Sequence, residues 1–126
     1  MIMGEQATFK PEASPTVIPR IFHPDVGGLV SFVRDVFAAR GEFHPERPAE
    51  MHIGESVVMI SDGGGLRAAF PACLYVYVAE VDRTCARAIE RGARCIEVPS
   101  STPWGDRRGI VEDLWGNIWQ IASREA

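Results

Sequence analysis

Hydrophobic and polar side chains alternate along two stretches near the end of the chain. Residues 108–113 and 118–122 follow the period of two that is typical of β-strands. The segment between them contains Gly116 and Asn117, which both tolerate the positive φ that a tight turn requires. The pattern therefore predicts a β-hairpin within residues 104–122, and we expect Gly116 to have a positive φ.

Apolar side chains recur at three- and four-residue spacing in two other stretches, which predicts two amphipathic helices. Asp25 is placed to accept hydrogen bonds at the start of the first helix, and Gly41 is placed to end it. Asp82 and Gly92 bracket the second helix in the same way. The apolar stripes are Leu29, Phe32, Val33, Val36 and Phe37 in the first helix, and Cys85, Ala88 and Ile89 in the second.

Short runs rich in β-branched and aromatic residues predict further strands, and one more strand is expected near Phe43. A strand, an Asp-initiated helix, a glycine stop and several strands thus occur twice. A unit that cannot bury both faces of its own sheet gains by pairing with a second copy. The additional strands are expected at residues 16–22, 50–53, 56–61, 72–78 and 93–99.

This repetition predicts a single α+β domain over residues 16–126, built from two βαβββ modules. Module one covers about residues 16–65 and module two about residues 72–124. Residues 1–15 mix charge, proline and small polar side chains without periodicity, so we expect a poorly ordered leader.

Composition narrows the classes of partner and the cellular location. The 126 residues carry a net charge of -4 and no basic patch beyond a pair of arginines, which argues against nucleic acid and anionic membranes. The three cysteines have no CxxC spacing, and no stretch approaches the ~20 apolar residues of a membrane span. We therefore expect a cytoplasmic protein with reduced thiols.

The predicted hairpin, WGDRRGIVEDLWGNIWQIAS, resembles the C-terminal hairpin of the vicinal oxygen chelate superfamily, with Leu114 where the family usually has proline. That superfamily includes glyoxalase I, bleomycin-resistance proteins and extradiol dioxygenases. The segment AEMHIGESVVMISD before a Gly-rich loop, together with the later WGDR motif, is similar to the PhnB-like subgroup. The resemblance implies a curved, mixed eight-stranded sheet with the helices on its outer face.

Most enzymes of the superfamily hold a divalent metal with His and Glu side chains from the first, fourth, fifth and eighth strands. The resemblance places those positions at Ile18, Met59, Cys73 and Gln120. One thiol and one amide are a poor ligand set for a hard or borderline metal, and a slip of one residue brings up no better set. We therefore expect no metal and no other cofactor.

The three histidines are expected in loop or edge positions. His23 precedes the first helix, and His44 lies between prolines. His44 and His52 could approach each other with a glutamate nearby, Glu46 or Glu50, although their spacing matches no known ligand pattern. That alternative stays open at the level of sequence.

If the resemblance holds, the side chains that face the cup are mostly apolar, with phenols and an amide for orientation, which is typical of a binding pocket. Core filling is the alternative for Met59, Cys73 and Ile118, and packing on a central strand is the alternative for Tyr75. A nucleophilic role for Cys73 would need a nearby cation such as Arg20. Trp104, between Pro103 and Gly105, could recognise a ligand or pack under the hairpin. The candidate pocket residues are Ile18, Arg20, Met59, Cys73, Tyr75, Trp104 and Gln120.

The sequence favours a metal-independent small-molecule-binding protein or enzyme of the glyoxalase/bleomycin-resistance type. The alternatives are a divalent-metal-dependent lyase or dioxygenase of the same superfamily, and a non-catalytic interaction domain. We also expect a homodimer, because the superfamily commonly builds its cups from two chains. Trp115, placed in a turn, and the Phe70–Pro71 linker are the aromatic segments expected at or near the interface.

Overall fold

The computed structural model describes residues 9–12, 14–63 and 70–126. The expected leader and the Gly-rich loop therefore fall partly on residues 1–8, 13 and 64–69, which lie outside the described residues. The elements in chain order are β1 (Arg20–Phe22), α1 (Val26–Phe37), β2 (Ala49–Ile53), β3 (Ser56–Ser61), β4 (Cys73–Tyr77), α2 (Val81–Glu90), β5 (Arg94–Ser101), β6 (Asp106–Glu112) and β7 (Ile118–Arg124).

The strands form two sheets that repeat one topology. The first sheet has the order β1-β3-β2, and the second has the order β4-β7-β6-β5. In each, the first strand pairs in parallel with the last strand of its module, and the neighbouring pairs are antiparallel. The predicted α+β class and the predicted repeat are therefore visible in the sheet topology.

The strand expected near Phe43 does not form. Residues 41–48 are a loop, within which His44 and Arg47 form an isolated bridge, and Arg40 just before the loop forms another with His52. Proline removes a backbone donor, and this loop contains Pro45 and Pro48. Instead of one eight-stranded sheet, the described residues form sheets of three and four strands.

Helix α1 begins where the sequence predicted and ends earlier. Asp25 is its N-cap, and Oδ1 accepts a hydrogen bond from the Gly28 N–H at 3.1 Å, which confirms the predicted cap. Gly41 does not end the helix, because Ala38 already takes the left-handed conformation with φ 55°. The Ala38 N–H closes the last turn on the carbonyl of Val33.

Helix α2 departs from its predicted cap. The N-cap is Glu80, without a side-chain hydrogen bond, and Asp82 lies in the first turn. Both carboxylate oxygens of Asp82 instead accept hydrogen bonds from Arg107 on β6, at 2.8 and 2.9 Å. Gly92, at φ 105°, follows the end of the helix as predicted. Within the described residues, neither helix has the length and apolar character that a membrane span needs.

The core joins the two modules on the side of the sheets that the helices cover. Trp119 of β7 is fully buried, and its ring lies 4.9 Å from Phe37 and 6.3 Å from Phe32 of α1. Ile21 and Ile60, paired in the first sheet, belong to the same cluster. Strand residues that alternate with these core positions therefore point away from the core, toward the helix-free face.

A buried carboxylate fixes the turn between β6 and β7. Asp113 accepts hydrogen bonds from the backbone N–H of Trp115 and of Asn117, both at 2.9 Å, and from the indole N–H of Trp119 at 2.8 Å. Asn117 adds a side-chain bond to Asp113 and accepts one from the Ala72 N–H at the start of module two's first strand. The turn is thus tied to both its hairpin and β4.

Trp115, expected from the sequence at or near a dimer interface, packs against other residues of its own chain. Its ring packs edge-on against Phe32 at 5.7 Å, and its indole N–H donates to Asp25 Oδ2 at 2.7 Å. This hydrogen bond holds the pKa of Asp25 below its usual range. Trp115 therefore bridges the hairpin turn and the start of α1 within one chain.

Gly116 has φ 90°, as the turn pattern predicted. A β-branched side chain is strained at that φ, although a Cβ there would meet only Pro71, at 3.9 Å. We expect Gly116→Val to lower the free energy of unfolding by about 1 kcal/mol or more. Gly116→Asn, which tolerates positive φ, should lose less. Urea denaturation of the three proteins checks this, and a valine variant as stable as the parent would contradict it.

Candidate functional site

The candidate residues from the sequence fall on the helix-free faces of two different sheets. Arg20 pairs with Met59 in the three-stranded sheet, and Ile18 precedes β1 and is half-buried. In the four-stranded sheet, Tyr75 pairs with Gln120. Cys73 is on the same face, and its Sγ accepts a hydrogen bond from Gln120 Nε2 at 3.5 Å. The structure therefore brings Cys73, Tyr75, Gln120 and Trp104 together and leaves Ile18, Arg20 and Met59 on the other sheet.

Asp106 lies at the centre of the group on the four-stranded sheet. It is 0% exposed, and its Oδ2 accepts hydrogen bonds from the hydroxyls of Tyr75 and Tyr77, at 2.7 and 2.8 Å. The tyrosines are two residues apart on β4, so they share a face, with ring centroids 5.4 Å apart. One buried carboxylate oxygen thus positions both rings.

Trp104 covers this group from the loop before β6. Its indole N–H donates to the Tyr75 hydroxyl oxygen at 3.3 Å, and its side chain is 52% exposed. Its carbonyl accepts from Arg124 Nη1 at 2.6 Å. Arg124 Nε also lies 3.4 Å from Asp106 Oδ1, which accepts no hydrogen bond from the described residues. Arg124 therefore links the loop to the buried carboxylate.

Arg108 lies next to the tyrosines, two residues after Asp106 on β6. Its Nη1 donates to Gln120 Oε1 at 2.9 Å, and its Nη2 donates to Glu97 Oε1 at 3.2 Å. The guanidinium carbon lies 5.2 Å from the centre of the Trp104 ring. We call these residues the Asp106 cluster: Tyr75, Tyr77, Glu97, Trp104, Asp106, Arg108, Gln120 and Arg124.

The hydrogen bonds set the protonation states of the cluster. The Tyr75 hydroxyl, followed by that of Tyr77 and the charge of Arg124, lowers the pKa of Asp106. Burial and the bond to Asp106 raise the pKa of Tyr75, and the bond to Asp106 raises that of Tyr77. At neutral pH the carboxylate is therefore ionised, and both phenols keep their protons and donate them to it.

Sequence reasoning missed Asp106 and Arg108 as members of the site. The WGDR motif contains Asp106 and Arg107 side by side, but they point to opposite faces of β6, and Arg107 binds Asp82. The alternation of side chains along β6 could have identified the two missed residues, because Asp106 and Arg108 are two residues apart and therefore lie on the same face of the strand. The pairing of Arg108 with Ala122 and of Ile110 with Gln120 puts Asp106 and Arg108 on the face of Gln120.

The residues at the helix-free faces do not fit the metal that the superfamily commonly holds. A cavity of about 630 Å³ on the three-stranded sheet is lined by His44, His52, Glu50 and Met59, among others. The described parts of the chain nevertheless contain no group of three or more His, Cys, Asp or Glu side chains placed to hold a metal ion. In the Asp106 cluster, the carboxylates of Asp106 and Glu97 are taken by tyrosine and arginine donors.

Comparison with known proteins identifies the class. Residues 20–121 match the family described as the Glyoxalase/Bleomycin resistance protein/Dioxygenase superfamily, and the chain belongs to that superfamily. The duplicated topology and the hairpin at the end of the second sheet are consistent with this assignment.

Individual relatives share about a third or less of their aligned residues with this chain. The uncharacterized protein Rv0887c of Mycobacterium tuberculosis is 32% identical over 68 residues, 54% of this chain and 37% of that protein. The matched segment thus spans well under half of the curated relative. TioX from Micromonospora sp. ML1 superposes with a TM-score of 0.73 at 23% identity, covering 88% of this chain and 99% of TioX. A glyoxalase-related enzyme from Fulvimarina pelagi gives 0.71 at 18% identity, covering 87% of this chain and 88% of that enzyme. These likenesses show the fold.

The tyrosine hydrogen bonds to Asp106 predict an acid-dependent stability difference. A carboxyl whose pKa is lowered by folding stabilises the protein above its unfolded pKa of about 3.9, and that contribution is lost as the pH falls through the folded pKa. We expect Tyr75→Phe/Tyr77→Phe to melt below wild type at pH 7. The difference in Tm should shrink toward pH 3.

The matched control repeats the comparison in an Asp106→Asn background. There the effect of the two phenylalanines should not change with pH, because no ionised carboxylate accepts the phenol protons. If the Tm difference between wild type and Tyr75→Phe/Tyr77→Phe is the same at pH 7 and pH 3, the tyrosines do not stabilise the charged form of Asp106.

Proposed function

We propose that this chain binds a small organic molecule on the helix-free face of its four-stranded sheet, at the Asp106 cluster. It acts there as a metal-independent binding protein or enzyme of the glyoxalase/bleomycin-resistance type. The similarity of its sequence motifs to the PhnB-like subgroup belongs to the same proposal. The observation that carries it is a buried carboxylate that holds two exposed tyrosines beside an exposed tryptophan.

The cluster combines features that small-molecule sites need. Trp104 and Tyr77 offer aromatic surface, with 52% and 59% of their side chains exposed. Tyr77 is held by its hydrogen bond to Asp106, and Trp104 is held by its hydrogen bond to Tyr75 and by Arg108 against its ring. The aromatic surface is therefore in place before a ligand arrives. Exposed aromatic residues on a rigid sheet favour binding over core packing.

The same contacts favour binding over a reaction. The phenol protons of Tyr75 and Tyr77 are committed to Asp106, so neither tyrosine is a ready base at neutral pH. Among the described contacts, the thiol of Cys73 accepts a hydrogen bond from the Gln120 amide and is joined to no charged side chain. These residues orient a ligand without supplying an evident nucleophile.

A homodimer is part of the proposal, and we propose strand β5 as its interface, because Trp115 already packs against Phe32 and donates to Asp25 within one chain. Strand β5 is the edge of the four-stranded sheet, and Ile96 and Val98 on it are exposed. An apolar edge strand is a liability unless another chain covers it. A partner chain over β5 would also enclose the neighbouring Asp106 cluster, as cups built from two chains do.

Ligand binding is tested with a library of small aromatic molecules screened by ligand-observed NMR. Molecules that bind the wild type should lose about fivefold or more in affinity with Trp104→Ala, since stacking on one aromatic side chain contributes on the order of 1 kcal/mol or more. Leu114→Ala is the matched control, because Leu114 is similarly exposed but lies in the turn between β6 and β7. Ligands that bind both variants equally would overturn the site.

The rival functions give different results in the same preparation. A metal-dependent lyase or dioxygenase would carry stoichiometric Zn, Ni, Mn or Fe in elemental analysis after purification without chelators. A non-catalytic interaction domain would bind no molecule of the library at the Asp106 cluster.

The dimer is tested by sedimentation equilibrium at low micromolar concentration. We expect twice the 13.9 kDa mass of one chain for the wild type, and a shift toward one chain for Val98→Asp, because a charge at the apolar edge disfavours burial. Leu114→Asp, a charge placed at another exposed apolar residue, should leave the mass unchanged. A wild type found only at 13.9 kDa would refute the dimer.

A further inference from the structure

We infer that the ligand of the Asp106 cluster presents an N–H or O–H group to the hydroxyl oxygen of Tyr77. An aromatic or unsaturated part of the same ligand lies against Trp104. This inference rests on the proposed function and specifies the class of molecule that the site takes.

The argument begins with the protons of the two phenols. A tyrosine hydroxyl has one proton to donate, and an ionised carboxylate has none. Asp106 Oδ2 lies 2.7 and 2.8 Å from the two hydroxyl oxygens, so each phenol proton is donated to the carboxylate. What the hydroxyls of Tyr75 and Tyr77 still offer to a ligand is their lone pairs. Toward solvent the tyrosine pair is therefore an acceptor.

Trp104 distinguishes the two tyrosines. Its indole N–H, 3.3 Å from the Tyr75 oxygen, already donates to Tyr75. Among the described residues, no donor is directed at the oxygen of Tyr77, whose side chain is 59% exposed. The open acceptor of the cluster is therefore Tyr77 Oη.

The other side of the cluster has the opposite polarity. Gln120 Oε1 accepts from Arg108, which fixes the amide so that Nε2 donates toward Cys73. Gln120 and Arg108 therefore offer N–H groups, while Tyr77 offers lone pairs. The cluster therefore fixes the orientation of a ligand. The hydrogen-bond donor of the ligand lies at Tyr77, and any acceptor that it carries lies toward Gln120.

Charge does not decide between a neutral donor and a cation. Asp106 is opposed by Arg124, and Arg108 is opposed by Glu97, so the charges of the cluster form two pairs. A hydroxyl and an ammonium group both satisfy the acceptor at Tyr77. The shared chemistry is the N–H or O–H donor, and the probes must separate the two sources.

Three simple probes test the inference: benzyl alcohol, benzylamine and benzyl methyl ether. They share a ring for Trp104, and only the ether lacks a donor. By ligand-observed NMR titration, wild type should bind benzyl alcohol about threefold to tenfold more tightly than the ether, the range that one hydrogen bond provides. Benzylamine should also bind more tightly than the ether, and a further gain over the alcohol would assign part of the binding to the charge of Asp106.

Tyr77→Phe should abolish the preference for the alcohol and keep the binding of the ether. Tyr75→Phe removes the hydroxyl that accepts from Trp104, so all three probes should bind more weakly, but the affinity ratio of alcohol to ether should remain, because Tyr77 still donates its proton to Asp106. An ether that binds the wild type as tightly as the alcohol would overturn the inference and leave the proposed function standing, and this comparison needs no variant. Failure of all three probes to bind would overturn the proposed function itself.

Discussion

The arrangement of strands in the second module depends on the hydrogen bonds that the carboxylate of Asp113 accepts. This carboxylate is buried in the turn between β6 and β7 and binds the backbone of that turn, the amide of Asn117 and the indole of Trp119. Such a group is stable in the interior only when its acceptor capacity is used. Asn117 then extends the network to Ala72, at the start of the module's first strand. One turn therefore fixes the hairpin and its pairing with β4.

That fixed register brings the residues of the Asp106 cluster together. With Ile118 opposite Cys73, Gln120 lies opposite Tyr75, and the same strand order brings Asp106 within reach of both tyrosines. The helix-covered face meanwhile buries Trp119 against α1. The two faces of the second sheet thus differ in what they contact. One joins the modules, and the other holds ionised and aromatic groups in a defined arrangement.

The sequence predicted the elements whose cause is local. The alternation of the hairpin, the cap at Asp25 and the positive φ of Gly116 depend on a few neighbouring residues, and the structure confirms them. Asp82 fits a cap equally well from local pattern, but a cation on β6 competes for its carboxylate. The role of Asp106 depends on which strands become neighbours, so no local pattern distinguishes its burial from a surface ion pair. The register between strands that are distant in the chain could not be predicted from local sequence patterns.

Binding of a ligand at the Asp106 cluster is tested most directly by ¹H–¹⁵N NMR spectra of the protein with and without a bound small aromatic molecule. The chain has three tryptophans, so three indole N–H signals report on three places. The account predicts a shift of the Trp104 indole and of the Tyr77 amide, while the buried indole of Trp119 and the internal Trp115 stay unchanged. Shifts confined to the cavity of His52 and Met59 on the three-stranded sheet would contradict it.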